Sequence, residues 1–194
     1  MAPEHGSRSS EDHMLLGRMP PTHIAVLNQD HRELVMLLDD GSDVNEADDL
    51  GRTILWKAAK QGEYLIAKLL VDRGANVNIA SSGLGWSPVL CACGHSQEHT
   101  EILKLVVEKG ADVNFKDNEG WTPLMHAALA RNEESVEYLV KAGARADETV
   151  VQGLVDTPHT PAMLARLASS DKIAEYLDAV LVAKQNEIRM RAAA

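Results

Sequence analysis

The sequence predicts an all-α array of helix–hairpin–helix repeats, and three observations predict it. Five segments that read as helix starts recur along the chain: PPTHIAV from Pro20, TILWKAA from Thr53, SPVLCAC from Ser87, TPLMHAA from Thr122 and TPAMLAR from Thr160. These starts lie 33, 34, 35 and 38 residues apart. Four segments that read as helix ends follow in the same rhythm: GSDVN from Gly41, GANVN from Gly74, GADVN from Gly110 and GARAD from Gly143. A fixed period of about 33 residues with two short helices per unit is a solenoid signature. No single unit of this kind buries its apolar face alone, so stability comes from stacking neighbours.

Each element has a local cause. Met1 to Asp12 is polar and rich in charge, Gly, Ser and Pro, which predicts disorder. Met14, Leu15 and Leu16 are expected to fold back as a partial cap on the first repeat. Within a repeat, Thr122 can cap free backbone N–H groups and Pro123 suits the first helical position. Ala127 and Ala128 keep that helix thin, so that neighbouring repeats approach closely. In the following helix Val136, Leu139 and Val140 form one apolar stripe. Gly143 ends it, where a left-handed backbone is needed. Asp117-Asn118-Glu119-Gly120 carries the turn chemistry of the hairpin. The first repeat has Pro20-Pro21 where the others have Thr or Ser first, and the last has no closing GADVN segment; both fit end caps. The expected organisation is an N-terminal segment 1–18, repeats at 19–51, 52–85, 86–120, 121–156 and 157–182, and a C-terminal helical extension 183–194.

Composition narrows the function. The net charge is −10, with 29 acidic and 19 basic residues. Nucleic-acid binding draws its affinity from Lys and Arg neutralising phosphates, so it is not expected. No apolar run reaches the ~20 residues of a membrane span, and the N-terminus lacks the apolar core of a signal peptide. Cys91 and Cys93 stand too close together, at different angles on a helix, to pair in a disulfide. These features predict a cytoplasmic or nuclear protein.

The TPLMHAA and GADVN motifs at this period resemble those of the ankyrin repeat family, over about Met19 to Val182. The resemblance implies an ankyrin-type α-solenoid of about five repeats with short β-hairpin fingers. It also implies a protein–protein interaction module that binds through hairpin tips and the concave helix face. Carried over position by position, the partner-binding residues are Asp49, Leu50, Arg52, Lys60 and Gln61 in the second repeat. In the third they include Leu84, Trp86 and His95, and in the fourth Asn118, Glu119, Trp121 and Leu129. Asn45, Asn78 and Asn114 are implied to hold the hairpins by hydrogen bonds, and similar asparagines in some family members are hydroxylated.

Other features admit two readings. Trp86 and Trp121 follow hairpin glycines at equivalent places and read either as packing rings or as exposed anchors of the kind that dominate interfaces. Trp56 reads as a packed core ring. Asp39, Asp40, Asp43, Glu46, Asp48 and Asp49 read as a solvated surface or as a steering patch for a basic partner. The apolar finger with Val150, Val151, Leu154 and Val155 reads as a cap on the last repeat or as an exposed binding patch. Cys91, Cys93, His95 and His99 have metal-ligand residue types but lack paired short-loop spacing, and the cysteines read as small buried side chains. No catalytic constellation, cofactor site or metal site is expected. The predicted function is a non-enzymatic adaptor, assembly chaperone or stoichiometric inhibitor, monomeric alone, binding a protein that can carry a basic surface. The alternatives are a self-associating structural protein and a regulatory subunit of an enzyme complex.

Overall fold

Residues 19–94, 96–151 and 158–192 are described by the computed structural model, so the expected N-terminal segment and its cap lie outside it. Among the described residues, helices pair into five units. They are α1 (Pro21–Leu27) with α2 (His31–Asp39), α3 (Ile54–Gln61) with α4 (Tyr64–Asp72), α5 (Pro88–Cys91) with α6 (Gln97–Glu108), and α7 (Pro123–Leu129) with α8 (Glu133–Lys141). A two-stranded ladder, β1 (Val150–Val151) and β2 (Pro158–His159), precedes α9 (Pro161–Leu167) and α10 (Asp171–Ala192).

The first helix of each unit starts as the sequence predicts. Thr53, Thr122 and Thr160 accept hydrogen bonds from the backbone N–H of Trp56, Met125 and Met163 at 3.1, 3.4 and 3.3 Å. Each satisfies one N–H that the helix itself leaves open. The third unit departs from this pattern. Ser87 makes no cap bond, its buried hydroxyl has no partner, and α5 is only four residues long.

First helices stack in series, α1 on α3, α3 on α5, α5 on α7 and α7 on α9, while α4 packs on α6 and α6 on α8. The alanines make this stacking close. Ala58, Ala59, Ala127, Ala128 and Ala165 are fully buried, and leucines and isoleucines such as Leu34, Ile66, Leu70, Ile102 and Leu139 fill the layer behind them. Burial of one such large side chain contributes about 2 kcal/mol.

Second helices end as predicted too. Gly74 has φ +86°; its N–H donates to the Val71 carbonyl, and the Ala75 N–H donates to Leu70. That pair of bonds satisfies carbonyls the helix would otherwise leave unpaired. Gly41, Gly110 and Gly143 repeat the left-handed conformation. After the first helices, by contrast, Gln29, Arg131 and Ser169 adopt φ of 56–58°, which costs a residue with a Cβ.

The hairpins differ from expectation in two ways. Most are turns closed by single backbone bonds, such as Asp48 N–H to Arg52 at 3.1 Å and Asp117 N–H to Trp121 at 3.1 Å, rather than strand ladders. The asparagines also bond between repeats, not within their own hairpins. Asn45 accepts from Asn76 N–H at 2.7 Å, Asn78 donates to the Gly110 carbonyl at 3.2 Å, and Asn114 accepts from Arg145 N–H at 2.8 Å. The motif thus ties each of the first three units to the next.

Ile173, Ala174 and Leu177 bury the start of α10, and the side chains beyond Leu181 are exposed. The left-handed residues give a direct test. Arg131→Gly and Ser169→Gly should each raise stability by about 0.5–1 kcal/mol in chemical denaturation. Gly62→Ala should lower it, because φ is +75° there and the added methyl would meet the His99 ring at 2.9 Å.

Candidate partner-binding face

The face is built outward from the turn of the fourth repeat. Asp117 accepts hydrogen bonds through Oδ1 from the backbone N–H of Glu119 at 3.0 Å and of Trp121 at 2.8 Å, which closes the turn. Its Oδ2 accepts from Trp86 Nε1 of the preceding repeat at 3.1 Å and lies 3.4 Å from His126 Nε2. The carboxylate is only 3% exposed, so these four groups replace its water. In the second repeat Asp48 does the same work. Its Oδ1 accepts from Leu50 and Arg52 N–H, and its Oδ2 pairs with Arg52 and with Lys57 at 2.9 Å. Burial alone would raise the Asp48 carboxyl, but the bonds from Arg52 and Lys57 overcome it and hold the group far below the usual carboxylate range. In the third repeat Ser81 takes this place and accepts from Trp86 N–H at 3.2 Å.

From this frame a row of rings and one cation crosses three repeats. The Lys60 ammonium lies 4.5 Å from the Trp86 ring centroid. Trp86 meets His126 edge-on, 5.0 Å between centroids, and His126 leans on Trp121 at 5.2 Å. Burial lowers the His126 pKa despite the opposing Asp117 carboxylate. The short α5 leaves an open concavity of about 410 Å³ beside this row, walled by Lys60, Trp86, Leu90, His99, His126 and Leu129 among others. A second of about 340 Å³ shares Trp86, His126 and Leu129 and reaches Leu84 and Glu119.

Several carried-over positions therefore converge: Lys60, Trp86, Leu84, Glu119 and Leu129 surround one trough. Leu84 is 54% exposed and Leu129 43%. Asp49, Leu50 and Gln61 are exposed beside the second hairpin and the end of α3 but line neither concavity. Arg52 is committed to Asp48 and covers the Trp56 ring. Asn118 donates to the Gly83 carbonyl at 2.7 Å and so braces the neighbouring hairpin. His95, Leu154 and Val155 lie outside the described residues, as does the Val151 side chain.

Two expectations need correction. Trp121 is 5% exposed, so it is a wall of the smaller concavity and not an exposed anchor; it packs with Met125, Val150 and Leu164. Val150, 3% exposed, belongs to that same small core, so the base of the apolar finger caps the array there and offers no patch. Trp56 is half-buried, packed against the core with its Nε1 unpartnered. Sequence reasoning missed Asp117 and His126 as organisers of the face. The signal was the nine-residue spacing that they share with Asp48 and Lys57.

The other two ambiguous clusters serve structure. Asp39 pairs with Arg73 at 2.8 Å, Asp43 accepts from Asn45 N–H, and Glu46 accepts from Thr22. Of the acidic hairpin, Asp40 and Asp49 remain without such engagement among the described residues. Cys91 and Cys93 are buried, which pushes both thiols well up, and Cys93 donates to the Val89 carbonyl at 3.2 Å.

The family model for ankyrin repeats matches residues 7–81 and 79–150, more than half of the chain. The chain belongs to the ankyrin repeat family. Ankyrin repeats are general, non-enzymatic protein–protein interaction modules. Among curated relatives, an ankyrin repeat protein of fowlpox virus is 30% identical over 120 residues, covering 62% of this chain and 28% of its own length. Ankyrin repeat and SAM domain-containing protein 6 of Rattus norvegicus is 35% identical over 134 residues, covering 66% and 15%. An ankyrin repeat protein of Rickettsia bellii is 33% identical over 120 residues, covering 60% and 34%. This ankyrin array thus spans at most about a third of the length of these relatives.

The two equivalent tryptophans should separate in a stability assay. Trp121→Ala should cost about 3–5 kcal/mol as a core truncation, and Trp86→Ala about 1–2 kcal/mol. The His126 pKa is lower in the fold than in the unfolded chain, so the unfolded state binds the proton more readily. Its contribution is complete above about pH 6.5 and is lost as pH falls through the folded value. His126→Gln should therefore lose less in Tm between pH 7.5 and pH 5.5 than the wild type does.

Proposed function

We propose that this ankyrin protein is a non-enzymatic binding module that docks a partner protein along the trough between its second and fourth repeats, as adaptor, assembly chaperone or stoichiometric inhibitor. One observation carries the reading: Leu84 and Leu129 stand exposed in the same concavity as Trp86, whose indole is held by the buried Asp117. Exposed apolar side chains around a fixed aromatic ring are the makings of an interface centre. A partner with basic character is supported at long range by the net charge of −10 and by Asp40 and Asp49. The same balance argues against nucleic acid. A cytoplasmic or nuclear setting is part of this reading. No described helix is long and apolar enough to cross a membrane. A monomer is the state proposed for the chain alone. Self-association is the rival, through the exposed Val182, Ile188 and Met190 of α10, and sedimentation over a hundredfold concentration range separates the two.

Because Trp121 is core, the useful binding variants are Leu84→Asp and Leu129→Asp. Both side chains are exposed, so each change should leave the fold within about 0.5 kcal/mol of wild type. Affinity capture from native extract should recover a stoichiometric protein with wild type and lose it with the double variant. Equal recovery by both would sink the proposed face. If the net charge steers the partner, its association rate should fall as salt rises from 50 to 300 mM.

A further inference from the structure

The trough is polar in its charge, although the chain as a whole is acidic. Among the described residues lining the larger concavity there is no carboxylate, and Lys60 is the cation. The two imidazoles there are committed. His99 Nδ1 pairs with Ser96 Oγ at 2.8 Å and its Nε2 faces the Lys60 carbonyl at 3.4 Å, while His126 faces Asp117. Lys60 is in a different state. It makes no ion pair with any described residue, in a chain whose other lysines and arginines are paired at many places along the array. Its contact is with the Trp86 face, and a cation–π contact consumes none of the three ammonium donors. Glu119 lines the smaller concavity only, and this exposed carboxylate also makes no ion pair among the described residues. The two concavities share the walls Trp86, His126 and Leu129, with Lys60 on the larger alone and Glu119 on the smaller alone.

We infer that the trough binds a segment of a partner protein in one direction, with a carboxylate side chain at Lys60, large aliphatic side chains over Trp86 and Leu129, and a basic side chain at Glu119. This rests on the docking face proposed above and specifies its occupant. Charge complementarity selects it. A carboxylate uses the idle donors of an ammonium already held in place by Trp86, and a like charge at either end is penalised beside low-dielectric walls. The motif also accommodates a basic partner, since the net charge steers approach while Lys60 reads one acidic side chain on arrival.

The test is selection of displayed random dodecapeptides on the full chain, with wild type, Lys60→Glu, Glu119→Lys and the Lys60→Glu/Glu119→Lys exchange as baits. The three variants are all surface changes, and circular dichroism checks that each of the four baits is folded. Wild type should enrich peptides in which Asp or Glu is separated from Lys or Arg by aliphatic residues. Lys60→Glu should lose the acidic position, Glu119→Lys the basic one, and the exchanged protein should select the same motif in reversed order. For one enriched synthetic peptide, replacing its acidic residue with the amide should weaken binding about threefold to tenfold, as should Lys60→Gln, and the two together no further. Uncharged consensus peptides, one consensus for all four baits, or no enrichment on wild type overturns the inference. If the native partner is lost with Leu84→Asp/Leu129→Asp but binds the charge variants equally well, the docking face stands and only the charged motif falls.

Discussion

A buried carboxylate at the root of the hairpin turn is the interaction on which the proposed binding face depends. Asp117 closes its own turn with one oxygen, and with the other it reaches Trp86 Nε1 of the preceding repeat and His126 of α7. Desolvating a carboxylate costs several kcal/mol unless donors replace the water, and every donor here is fixed by backbone or ring geometry. The same four contacts set the turn, the inter-repeat register and the orientation of the ring that lines the trough. Asp48 solves the problem with cations where Asp117 uses an indole and an imidazole. The second repeat is therefore held by charge, and the fourth by rings that leave apolar surface beside them.

Where the third repeat departs from this frame, the surface opens. Ser81 stands in for the aspartate, Ser87 leaves its hydroxyl buried and unpaired, and α5 stops after four residues. The larger concavity lies along this shortened helix. Thr100, Ser135 and Asn132 form a hydrogen-bonded cluster between the third and fourth repeats, anchored on the Gly94 carbonyl, that holds the short segment in place.

Local chemistry was legible in the sequence. The capping threonines, the alanine pairs and the terminal glycines each act within one turn of helix, so the motif carries its own geometry. Non-local packing was not. Trp86 and Trp121 occupy equivalent positions and both line the smaller concavity, yet Trp121 is buried and Trp86 only half-buried. The difference comes from Val150 of the long finger and Leu164 of the next repeat, which close over Trp121 alone. Nothing in the sequence around either tryptophan encodes that cover. The asparagines illustrate the same limit: their type announces a hydrogen bond, but only the stacking distance shows that the partner belongs to the next repeat.

Charge shows why a sum over the chain misleads at a site. The acidic hairpin of the first two repeats looked like a single patch, but Asp39, Asp43, Glu46 and Asp48 each serve a bond inside the molecule. A carboxylate that closes a turn or neutralises a buried lysine contributes little to recognition, because its hydrogen-bonding capacity is spent. It still counts fully in the field at a distance, where only net charge matters and salt screens it. In the proposed docking mode, recognition at contact uses the charges left without ion pairs, and among the described residues of the trough those are Lys60 and Glu119. The long-range field and the contact chemistry of this ankyrin array thus have different sources, and they act at different steps of association.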